Sequence, residues 1–243
     1  MTRPRDPNRL SALVQAASAV FLEKGYRQTQ MSAVASAMGV APGTLYLYVE
    51  GKEALFELVL RCAMNPDHPT QSLSLPLRCS GESSLLAFIQ KSLRARLRLP
   101  ALSAAARAGS SSDPRAELES VVRELFRETS RNWLALKLLE RSAADWPSLA
   151  GLWFGRHRPR VFALLAGYLH RRMASGALRS APDPQLAARL IIEMVAAFAM
   201  HCRSEHDGPP LDQPAAEEVL LDAVLHAYAA ALTSTTQKRT YAQ

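Results

Sequence analysis

Apolar residues recur every three or four positions along most of the chain, with polar residues between them. That spacing gives each predicted helix one apolar face. Strict alternation, which is typical of a strand, occurs from Leu93 to Leu99, but we expect a helix there because we identify no second strand for it to pair with. The pattern therefore predicts an all-α fold. The first helix shows it in Leu10, Leu13, Val14, Ala17 and Phe21.

A glycine turn separates two short helical patterns within residues 30–49. Gly39 can adopt the positive φ that ends the first pattern, and Pro42 suits the first turn of the second. Leu45 and Val49 lie four residues apart and should face the core of a helix from Pro42 to about Val49. Two helices joined by so short a turn form a helix-turn-helix, the element that enters the major groove of DNA.

The remaining positions of this unit carry groups that suit DNA. Recognition helices direct their first residues at base edges and their hydroxyls and amides at phosphates. Tyr46 and Tyr48 lie two residues apart, so both cannot face one core, although isolated aromatics are more often half-buried. Lys52 begins the next helix, where a cation and free backbone N–H groups attract a phosphate. The predicted DNA contacts are Thr29, Gln30, Gly43, Thr44, Tyr46, Leu47, Tyr48 and Lys52.

The same stretch resembles a known family of regulators. Residues 7–64 are similar to the DNA-binding domain of the TetR/AcrR family of bacterial transcriptional regulators. This resemblance implies a homodimer whose N-terminal domains bind a palindromic operator and whose helical C-terminal domains bind a small ligand that releases the DNA. The matching residues are Gly25-Tyr26, Ala35, Gly39-Val40, Gly43-Thr44-Leu45-Tyr46 and Lys52-Glu53-Ala54-Leu55-Phe56.

Three positions depart from the residues that are usual in the family. Gln30 stands where Ser or Thr is common, so Thr29 is expected to cap the second helix. Ala41 replaces a common Ser and cannot cap the third helix. Val49 replaces a common aromatic, which reduces the contact with the fourth helix. Together these changes predict a slightly looser domain that keeps its DNA contacts.

Helix breakers organise the rest of the chain. We predict a DNA-binding domain at residues 7–64, a helical effector-binding and dimerisation domain at 65–233, and a flexible tail at 234–243. Asp113 before Pro114 predicts the N-cap of a long helix that ends near Asp145.

Two apolar helices are predicted near the end of the chain, at about residues 183–202 and 214–233. The first is apolar on nearly every side between Leu190 and Met200, so it needs neighbours on nearly every side. That run is too short to span a bilayer. We expect the two helices to form a four-helix bundle with their twofold copies, as the resemblance also implies.

Aromatic residues are concentrated in the predicted body. At helical spacing they form a packed core or line an apolar ligand pocket that includes a few polar groups. Trp153 and His157 lie four residues apart and can face the same space. The sequence leaves both interpretations open. The candidate pocket residues are Phe88, Phe126, Trp133, Trp153, Phe154 and His157.

The net charge of +7, from 29 basic and 22 acidic side chains, lies mostly outside the DNA-binding module. Residues 1–61 hold seven Lys or Arg and five Asp or Glu, a net +2. Charge therefore supports DNA binding only mildly. Basic residues of the body are interpreted as solvated helix faces, with an acidic partner or an anionic effector as the alternative. They cluster at Lys91, Arg94, Arg96, Arg98 and Arg107, and at Arg156, Arg158, Arg160, Arg171 and Arg172.

Several other classes of protein lack support in the sequence. It contains neither a phosphate-binding P-loop nor a G-x-S-x-G nucleophile motif, so no catalytic residues are predicted and an enzyme is not expected. Its three cysteines form no C-x-x-C pair, which favours a reducing, cytoplasmic setting. His201, Cys202 and His206 are spaced poorly for one metal ion, and neither a metal nor a cofactor is expected.

These features predict a DNA-binding transcriptional regulator, a ligand-responsive repressor that acts as a homodimer on a palindromic operator. Its expected partners are double-stranded operator DNA, a second copy of the chain and an unidentified small effector, with no membrane. The alternative is a DNA-binding activator or architectural protein without an effector, whose aromatic body is solid core.

Overall fold

A computed structural model describes residues 7–64, 74–96, 98–203, 209 and 211–230. Within these residues the regular elements are helical, and β-pairing is limited to two isolated bridges, Val49 with Leu77 and Leu178 with Ala229. The predicted all-α fold is confirmed. The predicted tail at 234–243 lies outside the described residues.

The helices follow one another in this order: α1 (Pro7–Gln28), α2 (Met31–Ala37), a 3-10 helix (Pro42–Leu47), α3 (Lys52–Met64), α4 (Glu82–Arg96), α5 (Pro100–Arg107), α6 (Pro114–Arg131), α7 (Trp133–Ala143), α8 (Pro147–Leu152), a π-helical segment (Trp153–His157), α9 (Arg158–Ala174), α10 (Pro184–Ala199), a 3-10 turn (His201–Arg203) and α11 (Gln213–Tyr228).

The turn between α2 and the 3-10 helix forms as predicted. Gly39 has φ 65°, and Pro42 opens the following helix. That helix, however, is a 3-10 helix that ends at Leu47, where the sequence predicted a helix to about Val49. Ala41 supplies no side-chain cap, and the Thr44 N–H donates to its carbonyl at 2.9 Å in the tighter i to i+3 pattern.

The long helix predicted from Asp113 to about Asp145 is broken at Asn132. Asp113 caps α6 as predicted, since its carboxylate accepts the Ala116 N–H at 3.0 Å. Asn132 is buried, and its side-chain amide donates to the Glu128 carbonyl at 2.9 Å. A side chain that bonds to the backbone in this way competes with helix continuation, and α7 starts at the next residue.

The buried apolar residues form two clusters. Cluster one comprises the buried apolar residues between Leu10 and Leu93, the buried apolar residues between Ala135 and Trp153, and Met200. It joins α1 and α3 to α4, α7 and α8. Cluster two comprises the buried apolar residues of α5, α6, α9, α10 and α11. The change from cluster two to cluster one falls between α6 and α7, at the break that Asn132 makes.

One residue of the predicted basic surface is buried instead. Arg172 is 1% exposed, and its guanidinium donates to the Glu117 carboxylate at 2.8 and 3.1 Å and to the carbonyl of Ala108 at 3.2 Å. A buried guanidinium is tolerated only with such partners. Arg172 therefore ties α9 to α6 and to the end of α5 and does not form part of a solvated face.

The two predicted dimerisation helices are present but shorter than expected. α10 ends at Ala199 rather than Cys202, and α11 ends at Tyr228, whereas the prediction extended to Thr233, beyond the described residues. The stretch Pro184–Arg203 is long and apolar enough to cross a membrane by composition alone, with a mean hydropathy of 1.3. The core helix of a soluble protein passes the same test, and the buried side of α10 packs within cluster two.

Candidate nucleic-acid interface and cavity

The 3-10 helix presents an exposed face at the end of the helix-turn-helix. Tyr46 is 50% exposed and Leu47 is 56% exposed, although both carry large apolar groups. Gly43 is exposed beside them and Thr44 is half-exposed. The opposite side carries Leu45, which is fully buried. A short helix with an accessible, largely uncharged face can approach the floor of a DNA groove.

Two of the predicted DNA contacts are buried. Tyr48 is only 4% exposed because a 3-10 helix has three residues per turn, which places position 48 on the same side as Leu45. Its carbonyl accepts the Leu77 N–H at 2.8 Å. Thr29 is 1% exposed, and its hydroxyl donates to the Gly25 carbonyl at 2.7 Å instead of capping α2. The N-cap of α2 is Gln30, whose exposed side chain makes no capping bond.

Lys52 is half-buried at the start of α3. Its ammonium donates to the Arg27 carbonyl at 3.1 Å and lies 4.7 Å from the centre of the Tyr26 ring. Burial lowers its pKa from the usual range. The Tyr26 hydroxyl donates to the Glu53 carboxylate at 3.0 Å, so the start of α3 is held against the end of α1. Lys52 thus helps to hold the start of α3 against the end of α1, and it also supplies a positive charge at this position.

An aromatic stack joins this corner to the body. The rings of Tyr26 and Trp146 stack with their centres 4.3 Å apart, and both side chains are buried. The Trp146 indole N–H donates to Glu82 at 2.7 Å, and Glu82 also pairs with Arg27 at 3.0 Å. The hydrogen bond from Trp146 lowers the pKa of Glu82, whereas burial raises the pKa of Tyr26.

Gly25 allows the body to approach α1 closely. Its φ is 76°, where a side chain is strained, and a β-carbon built on it would lie 3.2 Å from an Asp145 carboxylate oxygen and 3.3 Å from the Arg141 guanidinium. That guanidinium donates to the Glu23 carbonyl at 2.8 and 3.3 Å. The sequence marked Gly25 as part of a motif, but the approach of Arg141 and Asp145 could not be inferred from spacing.

A cavity of about 110 Å³ lies between the two clusters. Leu136, Trp153 and Met200 of cluster one face it, and so do Leu125 and Val195 of cluster two. Its wall therefore draws on α6, α7, the π-helical segment and α10. The remaining lining residues are Leu99, Glu128, Thr129, Glu140, His157, Arg158, Val161, Ile192 and Ala196.

Trp153 and His157 reach the cavity together, as their spacing predicted. Their rings stack with centres 5.3 Å apart, within the π-helical segment that precedes Pro159. Trp153 is 7% exposed, and its indole N–H has no hydrogen-bond partner within the part of the chain that the structure describes. Burial, and to a lesser degree the charge of Arg160, lowers the pKa of His157. At neutral pH the cavity is therefore lined by an uncharged imidazole.

The other four predicted pocket residues lie elsewhere. Phe126 is buried within cluster two, and Phe88 packs under the Arg61 guanidinium at 4.7 Å. Trp133 packs against Arg203, whose guanidinium lies 5.6 Å from the ring centre. Phe154 is 41% exposed on an outer groove. Helical spacing showed that these aromatics face something apolar, but the direction in which each helix turns its face depends on packing across the whole body.

An open, largely apolar groove of about 960 Å³ runs along the outside of α9 and α10. Phe154, Phe162 and Leu186 line it. Leu186 is 65% exposed, Leu190 on the same helix is 53% exposed, and Val219 on α11 is 62% exposed. Large apolar side chains exposed in this number indicate a surface for another molecule.

Of His201, Cys202 and His206, which the sequence spaces poorly for one metal ion, the first two lie within the described residues. His206 lies outside them, and the His201 imidazole lies 3.2 Å from the Glu140 carboxylate. The described part of the chain holds no group of three His, Cys, Asp or Glu side chains that is suited to a metal ion.

Two family models match this chain. One, described as bacterial regulatory proteins of the tetR family, matches residues 13–59. The other, described as the C-terminal domain of AefR-like transcriptional repressors, matches residues 115–230. A fatty acid metabolism regulator protein of Bacillus subtilis is 49% identical over 41 residues, which make up 17% of this chain and 21% of that relative. The match thus spans about a fifth of the relative's length.

Two solved structures are similar over most of the chain. A ketosteroid transcriptional regulator of Mycobacterium tuberculosis has a TM-score of 0.58 at 18% identity, covering 95% of this chain and 100% of that one. A TetR family transcriptional regulator of Thermus thermophilus has a TM-score of 0.52 at 19% identity, covering 88% of this chain and 97% of that one. At these identities the likeness shows a shared fold.

Proposed function

Because the chain belongs to the TetR family of bacterial regulatory proteins, we propose that it is a ligand-responsive repressor that acts as a homodimer on a palindromic operator. The family models match both the helix-turn-helix region and most of the body. The family model that matches residues 115–230 describes transcriptional repressors, which favours repression over activation. We propose a cytoplasmic location, where the operator DNA is.

The exposed face of the 3-10 helix carries the proposal of DNA reading. Tyr46 and Leu47 are half-exposed or more, while Leu45, Tyr48 and Val49 next to them are buried in cluster one. Such a face gains contacts from thymine methyl groups and base edges in a major groove. Gln30, Gly43 and Thr44 flank it and would bond to phosphates, with Lys52 adding a cation beside them. Tyr48 and Thr29 are not part of this proposal, because both are buried.

A homodimer accounts for the exposed apolar residues of α10 and α11. Leu186, Leu190 and Val219 would be covered by the same residues of a second copy in a twofold interface. The groove along α9 and α10 would extend that surface to α9, a helix that was not expected to take part in the dimer interface. DNA reading also requires two copies, since the two 3-10 helices must lie about one DNA turn, roughly 34 Å, apart.

The cavity between the clusters supports the proposal of an effector, over an activator or architectural protein with a solid body. Leu136 and Glu140 of α7 line it, and Arg141 on the same helix bonds to the Glu23 carbonyl of α1. A ligand that favours a shifted α7 would therefore move α1 and change the spacing of the two reading helices. Only a ligand with different affinity for the two arrangements can release the operator.

Selection from random DNA with the full chain, followed by gel-shift titration of the enriched site, tests the DNA-reading proposal. We expect a palindromic site, and Tyr46→Ala should weaken its binding by about 1–3 kcal/mol if the ring reads a base. Tyr48→Phe is the matched control and should bind like the wild type, since Tyr48 is buried. Failure to enrich any sequence, or equal affinity of Tyr46→Ala and wild type, would contradict the proposal.

Thermal-shift screening of small molecules tests the effector proposal independently. A specific ligand raises the melting temperature by mass action, and it should also reduce operator binding in the gel-shift assay. A compound that stabilises the protein without changing operator affinity would argue for a DNA-binding protein whose cavity has no regulatory role.

A further inference from the structure

We propose that the cavity beside Trp153 takes an uncharged, compact and mostly hydrocarbon molecule with one hydrogen-bond acceptor, such as a cyclic ketone. This inference rests on the proposed function, since it names the chemical class of the effector for the same cavity. It depends on three properties of the lining: its apolar size, its paired charges and a buried donor that lacks an acceptor.

The size and the apolar lining limit the ligand to a small hydrocarbon body. The cavity measures about 110 Å³, close to the roughly 150 Å³ that holds one benzene in an engineered protein cavity. A mostly apolar cavity of this size gains dispersion contacts when a ring of similar volume fills it. Its apolar walls are Leu99, Leu125, Leu136, Val161, Ile192, Val195, Ala196 and Met200.

The charged residues at the cavity are already paired, which disfavours an ionic ligand. Arg158 donates to Glu193 at 2.9 and 3.0 Å. Glu140 lies 3.2 Å from His201 and 3.8 Å from Arg158.

Glu128, the remaining acid of the lining, pairs with Arg131 one turn along α6. A carboxylate or an ammonium ion that entered would lose its hydration. The charged groups that it would meet in the cavity are already paired with other side chains. Burial of an ion without a partner is far more costly than burial of a neutral polar group.

Trp153 is the reason why the proposed ligand carries one hydrogen-bond acceptor. Trp153 lines the cavity, and its buried indole N–H has no hydrogen-bond partner among the described residues. Buried donors are nearly always satisfied in proteins, so a donor left free at a cavity points to an acceptor that arrives with a ligand. The stacked His157 ring is neutral at pH 7, since burial lowers its pKa, and therefore adds no positive charge for an anion.

Calorimetric titration of the full chain with three probes of one ring size tests the ligand class. The probes are cyclohexanone, cyclohexane and cyclohexanecarboxylate. We expect saturable binding of the ketone, at least tenfold tighter than that of the carboxylate. Binding of the carboxylate as tight as that of the ketone, or no saturable ketone binding, would overturn the proposal.

A pair of Trp→Phe variants tests the role of the indole N–H. Trp153→Phe keeps an aromatic wall but removes the donor, so ketone affinity should fall about fivefold while cyclohexane affinity changes little. Trp133→Phe is the control, because Trp133 packs against Arg203 away from the cavity. A purely structural role of Trp153 would weaken both probes equally, and that result would contradict the assignment.

Operator binding by the same preparations separates this inference from the proposed function. Operator binding without ketone binding would overturn the ligand class and leave the DNA-reading proposal standing. Saturable ketone binding without binding of any DNA sequence would support the cavity assignment and overturn the regulatory function.

Discussion

Cluster one and cluster two divide the molecule at a different place from its two expected domains. The domain boundary was predicted at residue 64, yet cluster one continues from α1 and α3 through the Tyr26 and Trp146 stack into α7 and α8. Cluster two begins beyond that continuous core and carries the exposed apolar residues of α10 and α11. Part of the body therefore shares one core with the DNA-binding helices, and the cavity lies where the two clusters meet.

The two clusters also present different exposed surfaces. The exposed apolar residues of the helices around cluster one are Tyr46 and Leu47, which suit DNA. Those of the helices around cluster two are Leu186, Leu190 and Val219, which suit a second copy of the chain. A molecule wedged between the clusters would change the angle between a DNA-reading surface and a dimer surface. The predictions below test that division, beginning with the largest expected effect.

Trp146→Ala should break the continuity of cluster one. It removes a fully buried indole that stacks on Tyr26 and bonds to Glu82. The free energy of unfolding should fall by about 3–5 kcal/mol, the usual cost of such a truncation. Hydrogen exchange should show the amides of α1 and α7 losing protection together, because the stack lies between these two helices.

Phe126→Ala in cluster two is the matched control for Trp146→Ala. It should destabilise the protein to a similar degree, since Phe126 is also buried. Its local loss of protection should fall in α6 and α11 and leave α1 at the wild-type level. If both variants exposed α1 equally, the two clusters would behave as one cooperative unit and the comparison would fail.

Substitutions of two exposed leucines test the dimer surface and the DNA-reading surface independently. Leu190→Glu places a carboxylate from each copy in the proposed dimer interface. The free energy of dimerisation should become less favourable by about 2–3 kcal/mol, because the charges are buried without a partner. Leu47→Glu, at a similarly exposed position, should leave the dimer intact and abolish operator binding by repelling phosphates. Sedimentation reports the first effect and gel shift the second. A stable Leu190→Glu dimer at micromolar concentration would place the interface elsewhere.

Local signals in the sequence predicted the helix-turn-helix but not its finer geometry. Gly39 and Pro42 act through their own backbone preferences, so their roles could be inferred from position alone. Tyr48 was misplaced because its direction depends on whether the helix has 3.0 or 3.6 residues per turn, which apolar spacing over six residues does not resolve. The break at Asn132 was missed since apolar periodicity continues on both sides of it.

The cavity was only partly predictable for a different reason. Trp153 and His157 are one helical turn apart, and their shared direction follows from that spacing. Leu99, Leu125 and Ile192 meet them from three distant segments, and only packing across the whole body brings these together. Phe126 and Phe154 have the same periodic signal but face a core and an outer groove.

Arg141→Gln should weaken the connection between the cavity and α1. The variant loses the charged donor that bonds to the Glu23 carbonyl, at a cost of about 1 kcal/mol for a partly exposed charge-assisted bond. Operator affinity without effector should change little, whereas the effector should release the operator less completely. Gel shifts with and without the effector measure both quantities. Arg115→Gln, a change at an exposed arginine of α6 that does not line the cavity, is the control and should keep the wild-type response.

The smallest effect concerns pH and the seam between the clusters. The pKa of His157 is lowered from 6.5 mainly by burial and further by Arg160, so the native state holds its proton less readily than the unfolded state. Stability should therefore be lost as pH falls below about 6.5, because the unfolded chain takes up the proton first. One such group contributes at most about 1.4 kcal/mol per pH unit.

Denaturant unfolding at pH 7.5 and 5.5 measures that dependence. His157→Gln should flatten it, whereas His226→Gln should not, since the His226 side chain is 76% exposed. The charged residues that line the cavity with His157 are Arg158, Glu128 and Glu140. Equal pH dependence in His157→Gln and wild type would mean that His157 binds its proton equally well in the folded and unfolded states, which would contradict this prediction.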